Sequence, residues 1–258
     1  MTNYLKSEFY RVFHTKTIYL LGATLASLAF LANFLLALVK EPGFPYATLS
    51  YSLSNLVANP MLFILTGALI SLLFYENAKR NKSLKNTVAF GIARRDIFLG
   101  QCITTTLVSS LMMLITLAVY FLSAYFFLAH TGPVTIGHFL GEVPATFFIA
   151  VASVISMIYC LYLFDRMITA LGAWFIFWNI IPQAILSISL GFKLTWLRLF
   201  AMYLPANFFS SANMPVNMNQ SNPIWATSSG MAKCLLVGMI AIILFSLIGV
   251  FSVRKKDI

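Results

Sequence analysis

Residues 76–96 read ENAKRNKSLKNTVAFGIARRD, a basic stretch set between two long apolar runs. Six of its residues are Lys or Arg and two are acidic. Ser83 is placed to cap a short helix over 84–90, which Gly91 would end. A second helix is expected to begin near Ala93 and to continue into the next apolar run. The pattern predicts a short, rigid connection between two long helices, and an ordinary basic loop beside a membrane is the alternative.

Composition indicates an integral membrane protein. Of the 258 residues, 60% are hydrophobic and 9% are charged, whereas a soluble domain carries about 25% charged residues. Six apolar runs are long enough to cross ~30 Å of hydrocarbon at ~1.5 Å per residue. We therefore predict an all-α chain that forms a single transmembrane domain over 1–258. Its six spans are expected at about 17–39, 56–75, 97–129, 143–164, 168–190 and 235–253.

The distribution of positive charge orients these spans. If the N-terminus is inside, thirteen of the 17 Lys and Arg residues lie on cytoplasmic segments, as the positive-inside rule requires. Both termini are therefore predicted to be cytoplasmic. The net charge of +10 follows from this topology and gives no argument for nucleic-acid binding.

The segment before the first span, residues 1–16, has its own helical pattern. Leu5, Phe9, Val12 and Phe13 share one face of a helix, with basic residues elsewhere around it. An amphipathic helix of this kind suits the inner membrane interface. A plain extension of the first span is the alternative.

The segment between the fifth and sixth spans, residues 192–230, is apolar but broken. Pro205, Pro215 and Pro223 interrupt it, so it is too apolar for a solvated loop and too broken to cross the membrane. We predict a pair of short re-entrant helices that dip into the outer leaflet.

Polar residues inside the third and fifth spans are candidates to line a pathway. Thr105 and Ser109 belong to a run of hydroxyl residues, for which helix packing is an alternative role. Asn179 and Gln183 are four residues apart, beside Pro182, and should share a face of a kinked helix that meets protein or a cavity.

Several kinds of chemistry are missing from the sequence. It has no phosphate-binding G-x-x-x-x-G-K-[ST] loop and no recognisable Ser, His and Asp arrangement for catalysis. Its His and Cys residues lack metal-ligand spacing, and we expect no catalytic, cofactor or metal site. The predicted spans contain no charged residue, which argues against coupling to protons or ions.

The order of these features resembles the membrane subunit of a type-2 ATP-binding-cassette exporter. The similar parts are LKSEFYRVF (5–13), SLKNTVAFGIARRDIFLGQ (83–101), the broken segment before the last span and the terminal VRKKDI (253–258). The short chain and its tail are most similar to the bacterial lantibiotic-immunity, bacteriocin and antimicrobial-peptide export subgroup. Ala93 and Gln101 depart from that pattern, in which a Ser-type cap and a Lys are common.

The resemblance implies a plasma-membrane transport subunit that is no enzyme itself. It would pair with a second membrane subunit, identical or different, and with a separate ATPase subunit that holds ATP and Mg. The uncharged spans suit an amphipathic peptide or a lipophilic compound as the exported substrate. Two other classes stay open, a membrane scaffold or sensor and a membrane-embedded lipid-modifying enzyme. The resemblance also implies that the coupling interface comprises Glu76, Lys79, Arg80, Leu84, Lys85, Asn86, Val88, Gly91, Arg94 and Arg95.

Overall fold

The computed structural model describes residues 2–39, 46–57, 59, 61–80, 87–164, 166–207 and 224–255, without the side chains of 76–80, 205, 254 and 255. This part of the chain is almost entirely helical and contains no strand, which confirms the predicted all-α class. Its helices are α1 (Thr2–Phe13), α2 (Lys16–Leu38), α3 (Leu49–Val57), α4 (Met61–Arg80), α5 (Arg94–Phe127), α6 (Ile136–Leu163), α7 (Met167–Phe175), α8 (Ile181–Gly191), α9 (Thr195–Met202) and α10 (Ser228–Lys255).

Five continuous helices in the described ranges are long and apolar enough to cross a membrane, and the bent pair α3–α4 makes a sixth candidate. The five are α2, α5, α6, the run from α7 through α8, and α10. Their outer faces carry exposed Leu, Ile and Phe side chains. Helices that are apolar on their outward faces need lipid or protein around them.

Helix α6 is the centre of the bundle. In its most apolar window 61% of the residues are buried, against 11–28% in the other four long helices. It packs against α4, α10, α5 and α7. Trp174 and Trp178 anchor the fifth span to it, through hydrogen bonds from their indole N–H groups to the Ser153 carbonyl (3.3 Å) and the Ser156 hydroxyl (2.8 Å).

The predicted second span, 56–75, is not one straight helix. Its first residues belong to α3, and α4 begins at Met61 after a bend of 63°. Proline at position 60 has no N–H to donate to the Leu56 carbonyl, and the Asn59 amide donates to that carbonyl instead (3.0 Å). The Asn59 carbonyl then accepts a hydrogen bond from the amide of Leu62, the second residue of α4 (3.0 Å).

A buried hydrogen-bond network holds this bent region to its neighbours. The Asn33 amide on α2 donates to the Tyr120 carbonyl and the Ser123 hydroxyl of α5, both at 2.9 Å. The Ser52 hydroxyl on α3 donates to Asn33 Oδ1 (2.6 Å), and the Tyr120 hydroxyl donates to the Ser52 carbonyl (2.9 Å). The network joins three helices and leaves none of these polar groups without a partner.

The fifth span contains a π turn, Ile176–Ile180, directly before Pro182. A proline inside a helix lacks an N–H and crowds the carbonyl four residues before it. Widening the preceding turn relieves this conflict. The run Met167–Gly191 still forms one span candidate, so the expected disturbance at Pro182 takes the form of a widened turn.

The chain turns back after α8. Residues 195–207 contain α9 and a 3-10 turn at Pro205–Asn207. The fully buried Asn207 amide donates to the Pro182 carbonyl (2.7 Å) and the Ala201 carbonyl (3.1 Å). Pro182 lies nine residues before the end of α8, so the segment folds back ~13 Å along that helix. Residues 208–223 of the predicted outer segment lie outside the described residues.

Helix α1 and the last turns of α10 lie at the same end of the bundle, called here the termini end. The Tyr4 ring of α1 packs on Gly100 near the start of α5. Val253, near the end of α10, packs in a cluster with Phe98 of α5 and Tyr162 at the end of α6. The opposite end contains residues 46–48, 128–135 and 224–226, where the Leu49 amide donates to the Ala129 carbonyl (2.8 Å).

Candidate functional site

Residues 87–93, called here the connector, join the region after α4 to the start of α5. A helical turn over 87–89 ends at Gly91, whose φ is +82°. The Gly91 amide donates to the Val88 carbonyl (2.9 Å), and the Ile92 amide donates to the Thr87 carbonyl (3.4 Å). These two bonds form a Schellman motif, which favours Gly at this position. The short helix end expected at Gly91 is present.

The connector is packed onto the bundle. Val88 and Ile92 contact a small apolar cluster formed by Tyr4 of α1, which is 7% exposed, and the fully buried Ile97 of α5. Helix α1, the connector and the first turns of α5 therefore form one packed unit. The connector is therefore both continuous in sequence with α5 and packed against its first turn.

The coupling residues that the resemblance implies differ in their burial and in the segments to which they belong. Val88 is half-buried against other residues of this chain, so it stabilises the connector. Arg94 is half-buried, and the Arg95 guanidinium lies 3.3 Å from the Asp96 carboxylate at the surface. Glu76, Lys79 and Arg80 belong to the last turns of α4, and their side chains are outside the described atoms. Leu84, Lys85 and Asn86 lie outside the described residues.

Phe90 is a surface residue that sequence reasoning missed. Its side chain is 85% exposed and lies on the turn directly before Gly91. Of the apolar residues in the helix expected over 84–90, the structure turns Val88 inward and Phe90 outward. The sequence signal that could have drawn attention to it is its position, directly before the Gly91 expected to end the short helix.

The inward face of helix α1 mixes polar and apolar residues, because its buried residues are Tyr4, Glu8 and Val12. Of the predicted apolar face, Val12 is buried, Leu5 and Phe9 are half-buried, and Phe13 is 42% exposed. Arg11 forms an ion pair with Glu8 on the same helix. Burial, together with the nearby Glu8 carboxylate, raises the pKa of Tyr4 above its usual range.

A small polar pocket lies beneath this face of α1. It is bounded by Glu8, Arg11 and residues of α4, α5 and α6, among them Thr105. Its volume of about 10 Å³ is close to that of one water molecule. The Tyr162 hydroxyl donates to Gln101 Oε1 (2.8 Å) beside it. Thr105 thus lies at the termini end of the bundle interior.

A much larger groove lies farther from the termini, between α4, α5 and α6. Its volume is about 560 Å³, within the range of small-molecule sites. Ser109 and Thr106 of α5 are on its wall, and Leu114 and Leu140 are on its exposed rim, each 63% exposed. We call this the lateral groove, lined by Phe63, Thr66, Gly67, Thr106, Ser109, Ser110, Met113, Leu114, Leu117, Ala118, Phe121, Phe139, Leu140, Val143, Pro144, Thr146, Phe147, Ala150, Val151 and Val154.

The four predicted pathway residues do not converge within the chain. Thr105 and Ser109 lie on α5, in the polar pocket and the lateral groove respectively. Asn179, in the π turn, is half-buried, and Gln183 is exposed on the outward side of the fifth span. That span packs on a different face of α6, through Ser153 and Ser156. A shared pathway for all four residues would need a second subunit.

Glu142 is a second residue that the sequence argument missed. The expected start of the fourth span, residue 143, placed it just outside the membrane. Helix α6 instead begins at Ile136, because Thr135 and His138 form a capping box. Glu142 is completely buried, and neither carboxylate oxygen has a hydrogen-bond partner among the described residues. The bundle interior therefore contains an ionisable side chain.

No protein-family model matches this chain, and no curated protein matches its sequence. Among the described residues, no three His, Cys, Asp or Glu side chains come together as metal ligands could. The geometry of the connector and of the lateral groove is therefore the basis for a functional proposal.

Proposed function

We propose that this chain is the transmembrane subunit of an ATP-driven exporter, coupled through its connector to a separate ATPase subunit. The exported substrate would be an amphipathic peptide or a lipophilic compound. The observation that carries the proposal is the exposed Phe90 on a connector that is packed rigidly onto α1 and α5. An exposed aromatic on a rigid turn is the kind of anchor that dominates protein contacts.

The placement of the connector supports a coupling role. It follows α4 and leads directly into α5, and these two helices form two walls of the lateral groove. A partner that pulls on the connector would therefore change the spacing of the groove walls. The basic residues nearby, Arg94 and Arg95 among them, would meet acidic groups at the rim of the partner's cleft and contribute less than the apolar anchor.

In this proposal the termini end faces the cytoplasm of a bacterial cell, α1 lies at the inner membrane interface, and residues 192–230 lie on the outer side. A second membrane subunit, identical or different, would cover the outward face that bears Asn179 and Gln183. Exposed amides at membrane depth are stabilised when they meet another protein surface or a water-filled cavity.

The test is purification of the tagged chain from its native membranes in mild detergent, with identification of bound proteins and measurement of ATP hydrolysis. We expect an ATP-binding-cassette ATPase to copurify. Phe90→Asp should lower the copurified ATPase activity at least tenfold, about 1.4 kcal/mol of binding free energy. The control is Ile168→Asp, since Ile168 is an equally exposed apolar residue (86%) at the start of α7, and it should retain the partner.

Absence of any ATPase, or full retention of ATPase activity by Phe90→Asp, would contradict the proposal. A scaffold or sensor would bind another class of protein through the same surface. A lipid-modifying enzyme would show turnover in the purified chain without ATP.

A further inference from the structure

We propose that the lateral groove binds a neutral, largely apolar molecule that carries a single polar group, held by the Thr106 and Ser109 hydroxyls. This inference rests on the proposed export function, because it selects the lipophilic compound over the amphipathic peptide as the occupant of this site. It assigns a binding site to one chain, without a contribution from a second subunit.

The lining of the groove carries no charge. Its residues are apolar except for five hydroxyl side chains, those of Thr66, Thr106, Ser109, Ser110 and Thr146. A charged group placed there would have no ionic partner among the described residues that line the groove, and burying an unpaired charge is strongly unfavourable. A cationic peptide is therefore a poor occupant of the groove.

Three of the five hydroxyls are already used within their own helices. The Thr66 hydroxyl donates to the Leu62 carbonyl (3.0 Å), the Ser110 hydroxyl to the Thr106 carbonyl (2.8 Å), and the Thr146 hydroxyl to the Glu142 carbonyl (2.9 Å). Hydroxyls in apolar helices commonly satisfy themselves in this way. They have little capacity left for a ligand.

The remaining two hydroxyls are available. Among the described residues neither Thr106 nor Ser109 has a hydrogen-bond partner for its hydroxyl, and the Ser109 hydroxyl is buried. They are three residues apart, so both lie on one side of α5. A hydroxyl can donate or accept and can rotate to suit its partner. Together they provide one local polar anchor in an otherwise apolar groove.

The groove opens sideways. The rim residues Leu114 and Leu140 are exposed on the outer surface of the bundle, where a membrane helix meets lipid. An apolar ligand would enter from the bilayer without crossing water. The groove also lies in the half of the bundle away from the termini, so in the proposed orientation it belongs to the outer leaflet.

The test uses three photoreactive probes with the same diazirine-bearing alkyl chain and different head groups, a primary alcohol, a trimethylammonium and a sulfate. The purified chain is reconstituted in lipid nanodiscs, labelled, and mapped by mass spectrometry. We expect saturable labelling of 106–121 and 139–154 by the alcohol probe, and about fivefold less by each charged probe.

Matched variants separate the polar anchor from the volume of the groove. Thr106→Val combined with Ser109→Ala should lower labelling by the alcohol about fivefold, which corresponds to the loss of a single hydrogen bond. Thr24→Val is the control, because Thr24 is an exposed hydroxyl residue on α2, outside the groove. Ala150→Phe should block labelling because the larger side chain fills the groove. If Ala150→Phe prevents folding, the near-isosteric Thr106→Val variant still tests the proposal.

Equal labelling by the three probes would overturn the proposal, because it would indicate a groove filled by bilayer acyl chains only. Unchanged labelling in the double variant would overturn the polar anchor, and no labelling at all would indicate a groove covered by protein. The measurement needs no ATPase. If the labelling result fails but Phe90→Asp still lowers the ATPase activity, only the binding site in the lateral groove is rejected. If the labelling result holds but no ATPase copurifies, the export function is rejected and the binding site is kept.

Discussion

Two buried glutamates differ in what surrounds their carboxylates. Glu8 is 6% exposed and is paired with Arg11 on the same helix. Glu142 is fully buried, and its carboxylate has no partner within the described ranges. An unpaired buried carboxylate costs several kcal/mol when ionised. We therefore expect Glu142 to be a neutral acid in the folded chain, whereas Glu8 has Arg11 as its ion-pair partner.

The same substitution should then destabilise the chain at Glu8 and leave its stability nearly unchanged at Glu142. Glu142→Gln replaces a neutral acid with a neutral amide of similar shape, so thermal unfolding in detergent should change by less than ~0.5 kcal/mol. Glu8→Gln removes the partner of Arg11 and should destabilise the chain by ~1–3 kcal/mol, reduced by the partial exposure of Arg11. A large loss of stability in Glu142→Gln together with tolerance of Glu8→Gln would reject this assignment.

At the scale of an element, residues 195–207 depend on one side chain. The Asn207 amide supplies one buried hydrogen bond to the fifth span, at the Pro182 carbonyl, and one within the segment, at the Ala201 carbonyl. Such bonds in a membrane protein contribute on the order of 1 kcal/mol each. Their loss should release the segment without disturbing the spans.

The prediction is that Asn207→Ala raises amide hydrogen exchange across 195–207 about tenfold and leaves α6 unchanged. Asn179→Ala is the matched control, since Asn179 is half-buried on the fifth span and its side chain makes no hydrogen bond to 195–207 among the described residues. Unchanged protection of 195–207 would show that packing alone holds the segment in place.

At the scale of the molecule, the connector and residues 129–134 lie at opposite ends of α5, which has 34 residues. At 1.5 Å per residue this helix is ~50 Å long, enough to separate the two faces of a bilayer. The structure thus defines two ends, and the positive-inside rule predicts which end is cytoplasmic.

Single cysteines at Ala89 and Thr131, both exposed, test the orientation with a membrane-impermeant maleimide. Intact cells should label the Thr131→Cys variant, and Ala89→Cys should react only after the membrane is opened. The unmodified chain, whose three cysteines are buried or half-buried, is the control. Labelling of both sites from outside would reject the topology.

The sequence alone determined the features that depend on composition and local pattern. The all-α class and most of the long apolar helices could be read from it, because hydrocarbon admits few backbone structures. The turn at Gly91 could be predicted because a left-handed backbone position favours glycine. The helix ends were less accurate, because caps such as Thr135 with His138 lie outside the apolar runs that define a span.

Only the tertiary structure decided which side chains face one another. The inward turn of Val88 and Glu8, the exposure of Phe90 and the burial of Glu142 all depend on contacts between segments distant in sequence. The lateral groove likewise forms only where three helices pack together, so the sequence of any one helix does not predict it. In a chain whose helices are apolar on nearly every face, periodicity cannot mark the buried face, so packing alone determines it.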